Sequence, residues 1–305
     1  MSGFLDDFKN AFSKPDNSLI QLILINLIIF ASLIVLRVVL ILSGAEEFYR
    51  LILYQLTLPS SIENFITKPW SLITYFFTHE DFFHILFNLL FLYWFGRIII
   101  EFLGSRRLVA LYILGGITGG LFYIIVYNSL DFFADKVAFA QMLGASASVY
   151  AVVVGAATFM PNYTFFLLLI GPVKIKYIAI FYVFLSFAQT IGDNAGGNLA
   201  HLGGALIGFI FITQLRKGND WGAPVYATLT FFSKLFTRKP KIKVSHKRSA
   251  SRPASSSSSH RSTAPKKEVN PDQKEIDAIL DKISEKGYES LTKEEKQKLF
   301  NASKK

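Results

Sequence analysis

The chain has 305 residues, of which 51% are hydrophobic, with no cysteine and a formal net charge of +10. A mean hydropathy of +0.38 is too high for an ordinary soluble protein and indicates an integral membrane protein. The missing cysteines exclude disulfides and thiolate metal sites. The positive charge does not indicate a nucleic-acid partner, because residues 237–267 alone hold ten Lys/Arg and no Asp/Glu.

Long apolar runs predict six membrane spans, since about 20 apolar residues cross a bilayer core of about 30 Å. The predicted spans are approximately residues 19–42, 82–103, 107–127, 144–160, 175–191 and 198–215. Residues 1–18 mix acidic and basic side chains, and the run that follows exceeds the apolar part of a signal peptide. We therefore expect a cytosolic N-terminal segment, although Ser43-Gly44-Ala45 could imitate a cleavage site.

Two stretches between these spans are rich in apolar residues but unsuited to crossing. Residues 43–81 are too polar overall, and their aromatic and aliphatic side chains favour short elements lying in the membrane interface. Tyr163–Gly171 is too short and is followed by Pro172, which favours a re-entrant or surface segment.

Lys and Arg concentrate in alternate connections, at 96–107, at 161–177 and after 215. This pattern predicts that these sides, and both termini, face the cytoplasm. Ser146, His201 and His84 then lie at one depth, just below the outer surface. A polar group facing lipid is destabilised by several kcal/mol. We therefore expect these side chains to face the bundle interior or a water-filled cavity.

The region around Ser146 combines a serine with unusually small neighbours, in Gly144-Ala145-Ser146-Ala147 at the start of a predicted helix. His201, Gly204 and Gly208 share one helical face by their i, i+3 and i+7 spacing. Small-residue faces let two helices approach to backbone contact inside a membrane. Packing these two faces together would bring the imidazole within reach of the hydroxyl, which is the minimum for nucleophilic catalysis.

Three further residues fit this chemistry. His84 and Asn88 share a helical face and could hold donors toward an oxyanion forming near Ser146. The predicted spans offer no acidic residue near His201, so the expected unit is a Ser146–His201 dyad with the histidine oriented by packing against Tyr150. Taken singly, each polar residue is better explained by interior hydrogen bonding or helix packing.

By these motifs, residues 19–216 resemble the rhomboid intramembrane serine proteases. The likeness rests on the motifs above and on Pro69-Trp70 and Tyr93-Trp94-Phe95-Gly96-Arg97. It implies an all-α membrane protein with a six-helix bundle, a water-accessible cavity and no cofactor or metal. It also implies Ser146 as nucleophile and His201 as general base. His84 and Asn88 would lie in the oxyanion hole, and Tyr150 would stack on His201.

The implied substrates are transmembrane segments of membrane proteins, cleaved near the outer surface, and the implied location is a bacterial cytoplasmic membrane. A non-catalytic rhomboid-like protein that binds membrane helices is the alternative, and a proton-linked transporter is a weaker third. Two positions depart from the family pattern: Ala147 stands where glycine is usual, and Ser71 where arginine is usual. His79, beside Glu80 and Asp81, admits a metal site, but we favour a loop-structuring role.

The C-terminal part of the chain is different in character. Residues 217–270 are expected to begin with an amphipathic piece on an anionic leaflet and to continue as a disordered basic Ser/Pro-rich linker. Residues 271–305 predict two short cytosolic helices, the second starting at a capping box of Thr292 and Glu295. This module resembles the small domain appended to some bacterial rhomboids. It is either a marginal tail or a docking module for a cytosolic partner.

Overall fold

The computed structural model describes residues 17–167, 170–236 and 271–302. These residues are mostly helical, with two short antiparallel strand pairs. The helices of the described residues are α1 Ser18–Leu42, α2 Glu46–Leu56, α3 Ile62–Thr67, α4 Ser71–Thr74, α5 Phe82–Leu103, α6 Ser105–Ser129, α7 Ser146–Phe159, α8 Ile175–Ala188, α9 Ala195–Arg216, α10 Ala223–Phe236, α11 Pro271–Lys286 and α12 Lys293–Ala302.

Six apolar helices occur where the sequence predicts spans, so the prediction of an all-α membrane bundle is confirmed. Four of them, α1, α5, α6 and α9, are long and apolar enough to cross a membrane. α7 and α8 have 14 residues each. At 1.5 Å per residue each extends only about 21 Å, which is less than the bilayer core. That all six cross therefore stays a prediction.

The short helix α7 forms the centre of the bundle. It packs against α9, α6, α5 and α8, and most of its side chains are buried. A helix enclosed by protein does not need to match the bilayer thickness, because its ends meet other helices and loops instead of lipid. α7 can therefore begin inside the bundle, where its first residue, Ser146, is partly buried.

Glycines allow the helices around α7 to approach closely. A Cβ added at Gly204 of α9 would lie 2.9 Å from the carbonyl carbon of Ala147, and one at Gly208 would lie 2.9 Å from Cα of Ala151. On α6, a Cβ at Gly119 would lie 2.6 Å from the methyl group of Ala147. The small-residue faces therefore meet in the expected register, and Ala147 fits because glycine faces it.

Residues 43–81 form short elements, and their location in the membrane interface stays a prediction. They comprise α2, α3, α4 and a 3₁₀ turn at Tyr75–Phe77. Strand β1 (Leu58–Pro59) pairs with β2 (Gln141–Met142), just before the start of α7. Inside the segment, the Trp70 indole donates to the Gln55 carbonyl at 3.0 Å. These contacts hold residues 43–81 against the end of the bundle at which α5, α7 and α9 begin.

The stretch Tyr163–Gly171 belongs to a β-hairpin, formed by β3 (Thr164–Leu167) and β4 (Gly171–Lys174). Phe166 on this hairpin is 82% exposed. Of the two forms the sequence leaves open, the hairpin therefore favours a surface segment.

The chain divides into two compact units, Met1–Pro240 and Lys241–Lys305. In the first, α10 packs on α6 with Val225 buried, in accord with an amphipathic piece. In the second, α11 ends before Gly287, whose φ is +75°. The predicted capping box opens α12: Thr292 N–H donates to Glu295 Oε2 at 2.8 Å and Glu295 N–H to Thr292 Oγ1 at 3.3 Å. The predicted linker at 237–270 lies outside the described residues.

Candidate active site

Ser146 is the first residue of α7, so its amide is among those that a helix leaves without an intrahelical partner. The preceding turn depends on Gly144, whose φ of +114° favours glycine. A Cβ there would also lie 2.7 Å from Nε2 of His84. The Gly144 amide donates to the Tyr75 carbonyl at 2.9 Å, and the Ala145 amide donates to Nε2 of His79 at 3.1 Å. The serine is thus presented on a turn fixed at two successive amides.

His201 reaches Ser146 from α9, with Nε2 lying 2.7 Å from the serine Oγ. It is six residues into α9, or about 9 Å below the helix start at 1.5 Å per residue. The contact is set by the glycine face, because Gly204, one turn later, packs on the backbone of Ala147. A neutral imidazole can accept the hydroxyl proton at this distance.

Tyr150 and Ser186 complete the surroundings of His201. The Tyr150 ring stacks on the imidazole with centroids 4.2 Å apart and planes at 7°. Ser186 of α8, which is buried, places Oγ 3.1 Å from Nδ1 of His201 and donates to the Tyr150 hydroxyl at 2.8 Å. The place of Ser186 beside His201 is not predicted from the sequence, because a lone serine in an apolar helix is most often a packing residue.

His84 and Asn88 lie on α5 next to the Ser146 turn, without hydrogen bonds to Ser146 itself in the part of the chain described. The Asp81 carboxylate caps α5 by accepting from the His84 amide at 2.8 Å. The His84 ring lies against Gly144, and Asn88 is buried with Nδ2 3.2 Å from Nε2 of His79.

His79 therefore connects α5 to the turn before Ser146. Because the Ala145 amide can only donate, Nε2 of His79 must accept, which makes Asn88 a donor toward it. Burial, and secondarily the neighbouring His84 ring, lowers the pKa of His79 to about 3. The imidazole remains neutral and accepting at ordinary pH. The neighbouring Glu80 carboxylate accepts a hydrogen bond from the Tyr49 hydroxyl at 2.9 Å and so points away from His79. This favours the loop-structuring role of His79 over a metal site.

Two cavities meet at His84. One has a volume of about 520 Å³ and walls that are mainly apolar, and it also contacts Asn88, Tyr150, Tyr182 and His201. The other, of about 720 Å³, is more polar and includes Asp135, Lys136, Asp193 and Asn194. His84 therefore lies between a mainly apolar cavity, which reaches His201, and a more polar one.

Residues 67–218 match the family model of the rhomboid domain. By this domain, the chain belongs to the rhomboid family. It is 32% identical over 169 residues to RHOMBOID-like protein 12, mitochondrial, of Arabidopsis thaliana, a match covering 52% of this chain and 50% of that protein. It is 27% identical over 167 residues to Rhomboid protein 1, mitochondrial, of Saccharomyces cerevisiae, covering 52% and 45%. The chain spans about half the length of these curated relatives.

The rhomboid domain is of an intramembrane protease type, and this rhomboid is an integral membrane protein. Residues 266–305 match a family of unknown function, DUF6576. The Ser71 position, where arginine is usual in the family, is buried, and its hydroxyl has no hydrogen-bond partner among the described residues. Instead, buried Lys68 donates to the Tyr54 carbonyl and, at 3.4 Å, to the Thr57 carbonyl.

Proposed function

We propose that this rhomboid is a serine endopeptidase that cleaves transmembrane segments of membrane proteins, with Ser146 as nucleophile and His201 as general base. The observation that carries the proposal is the 2.7 Å contact between Ser146 Oγ and His201 Nε2. Interior hydrogen bonding of one serine or histidine is common in membranes. It does not account for the combination found here. The Tyr150 ring stacks on His201, and a cavity and the polar pair His84 and Asn88 lie at the same place.

In the proposed reaction, Ser146 Oγ attacks a substrate carbonyl while its proton passes to Nε2 of His201. The protonated histidine then gives that proton to the leaving amine, and an acyl-enzyme remains on Ser146. A water molecule loses a proton to Nε2 and attacks the acyl carbon, and the proton returns to the Ser146 oxygen as the ester bond breaks. The polar cavity supplies that water.

Negative charge develops on the substrate oxygen during both attacks. Donors aimed at such an oxygen are commonly worth about 2.7–4 kcal/mol each in the rate. The donors proposed here are His84, Asn88 and the Ser146 amide. Each belongs to an element anchored near Ser146: Asp81 caps the start of α5, and His79 holds both Asn88 and the turn at Ala145.

We propose that the apolar cavity holds the substrate. Its walls include Phe83, Phe87 and Phe91 of α5 and Tyr182 of α8, so an apolar chain would lie between these helices. A regular helix keeps its carbonyls hydrogen-bonded, so the segment must unwind before attack. Substrates with glycine or other helix-weakening residues near the cleaved bond should therefore be preferred. Residues 43–81 and the 191–198 loop are the proposed gates.

Location and orientation are also proposals. The distribution of Lys and Arg supports cytoplasmic termini and a site near the outer surface. That the membrane is a bacterial cytoplasmic membrane is a proposal that this distribution does not address. The two matched relatives carry the word mitochondrial in their names.

For residues 271–305 we propose docking of a cytosolic partner.

The decisive experiment is labelling of purified protein with a serine-reactive phosphonate, combined with cleavage of a transmembrane reporter in proteoliposomes. Wild type should label and cleave, and Ser146→Ala should do neither while remaining folded. Ser148→Ala is a matched control, because that buried hydroxyl lacks a partner in the described residues. Reporter binding without Ser146-dependent cleavage would favour the non-catalytic binder, and cleavage that survives in Ser146→Ala would refute the proposed nucleophile.

A further inference from the structure

A continuous line of hydrogen bonds runs from the imidazole of His201 into α8. Nδ1 of His201 is 3.1 Å from Ser186 Oγ, and the Ser186 hydroxyl donates to the Tyr150 hydroxyl at 2.8 Å. The Tyr150 hydroxyl in turn donates to the Tyr182 carbonyl at 3.3 Å. Tyr182 and Ser186 are one turn apart on α8, so the line begins at the catalytic candidate and ends on a backbone carbonyl.

The last member of this line sets its direction. A carbonyl oxygen has no proton, so the Tyr150 hydroxyl must donate to it. That hydroxyl has only one proton, and it therefore accepts from Ser186. Ser186 has then used its own proton and can only accept from the ring. The proton of a neutral His201 is thereby required on Nδ1, and Nε2, which faces Ser146, is left unprotonated.

We infer that Ser186 is a positioning residue that holds His201 in the tautomer needed to accept the Ser146 proton, with a hydroxyl where soluble serine proteases use a carboxylate. This inference rests on the proposed function for its catalytic meaning, but the tautomer itself is independent of activity. In the opposite tautomer, Nε2 would carry the proton and could only donate to Ser146.

Stacking by Tyr150 does not select the tautomer of His201. A parallel ring 4.2 Å away fixes the plane of the imidazole, but both nitrogens lie in that plane. No acidic side chain bonds to His201 among the residues described. Ser186 is the group that distinguishes Nδ1 from Nε2, and its 2% exposure protects the contact from competing water.

The test uses the full-length protein and three serine variants. Ser186→Ala removes the acceptor, Ser186→Thr retains a hydroxyl, and Ser148→Ala removes a buried serine hydroxyl that touches none of the line. Nitrogen-15 NMR of labelled histidine distinguishes the two tautomers, and comparison with His201→Gln assigns the signal. Reporter cleavage then gives kcat and KM, and thermal unfolding reports stability.

We expect wild-type His201 to carry its proton on Nδ1 and Ser186→Ala to show a mixture of tautomers. Ser186→Ala should lower kcat about ten- to hundredfold, since a buried donor loses its partner, with KM changed less than about threefold. Ser186→Thr should recover most of the rate, and Ser148→Ala should match wild type. Loss of stability alone would not produce this division between kcat and KM or the rescue by threonine.

Three results would overturn the inference: a proton on Nε2 in the wild type, an unchanged tautomer in Ser186→Ala, or equal losses of kcat in Ser186→Ala and Ser186→Thr. Failure of the proposed function looks different. In that case the wild type would show the Nδ1 proton and its loss in Ser186→Ala, but no Ser146-dependent cleavage at all.

Discussion

Gly204 provides the sharpest test of the helix contact on which the Ser146–His201 distance depends. It stands one turn after His201 and packs on the backbone of Ala147, the neighbour of Ser146. A Cβ at Gly204 would lie 2.9 Å from the Ala147 carbonyl carbon. The Ala147 carbonyl oxygen would lie closer still, and carbon atoms pack best at about 3.5–4.0 Å, so Gly204→Ala should widen the spacing of α7 and α9 by at least about 0.6–1.1 Å.

A displacement of this size is large for a proton transfer. Misplacing reacting groups by about 1 Å is associated with losses near a hundredfold in rate, even when no catalytic group is removed. Overpacking typically destabilises a protein by about 1–3 kcal/mol. Even the small methyl group of Gly204→Ala should therefore lower the rate strongly, because the atoms that it meets belong to the Ala147 backbone and cannot turn away as a flexible side chain can.

The assay is reporter cleavage per unit of folded protein, with thermal unfolding measured in parallel. Gly155→Ala is the matched control, since the nearest atoms to its Cβ would belong to side chains, Leu111 at 3.3 Å and Ile212 at 3.6 Å. Gly218 is unsuitable for this purpose because its φ of +88° would strain any other residue. Wild-type turnover in Gly204→Ala would show that His201 does not meet Ser146 across a tight glycine face.

Four further outcomes follow from the same geometry. Ser146→Ala and His201→Ala should each lower cleavage at least about 10⁴-fold, and the double variant should be no worse than either; multiplied losses would exclude a single unit. Cleavage should decrease as His201 is protonated, so a rate that rises from about pH 8 to about pH 5 would exclude it as the base. His79→Leu should lower kcat at least about tenfold in wild type and by a smaller factor in Asn88→Ala, where only its contact with Ala145 remains to be lost; fully additive effects in this double-mutant cycle would show that His79 does not position Asn88. Truncation after Pro240 should retain cleavage in detergent, and complete loss would mean that the C-terminal unit is part of the enzyme.

The bundle and much of the candidate site could be predicted from the sequence because both depend on local periodicity. The spacing of His201, Gly204 and Gly208 defines a helical face whatever the rest of the fold, and Ser146 with Ala147 defines its complement. The structure brings these faces together with Gly204 opposite Ala147. Apolar length likewise located the membrane helices within a few residues of their observed bounds.

Other contacts in the site join residues that are far apart in the chain, so no local sequence pattern predicts them. Ser186 precedes His201 by 15 residues along the chain, on another helix, so its contact with Nδ1 follows from how α8 and α9 pack. The role of His79 depends on an amide 66 residues away, at Ala145. The β-hairpin formed by β3 and β4 was not predicted, because its apolar run is shorter than a membrane span and shows no clear alternation of apolar and polar residues.

A hydroxyl behind His201 suits the interior of a membrane protein better than a carboxylate would. An ionised carboxylate in an apolar interior is strongly destabilised unless it is paired, and the proposed mechanism requires a resting histidine without a charge to pair with it. The line from Ser186 through Tyr150 to the Tyr182 carbonyl contains no charge, and each donor in it has an acceptor. In the proposed mechanism it can therefore fix the tautomer without an ionised group in the bundle. The consequence is a weaker stabilisation of the imidazolium, so more of the rate must come from His84, Asn88 and the Ser146 amide.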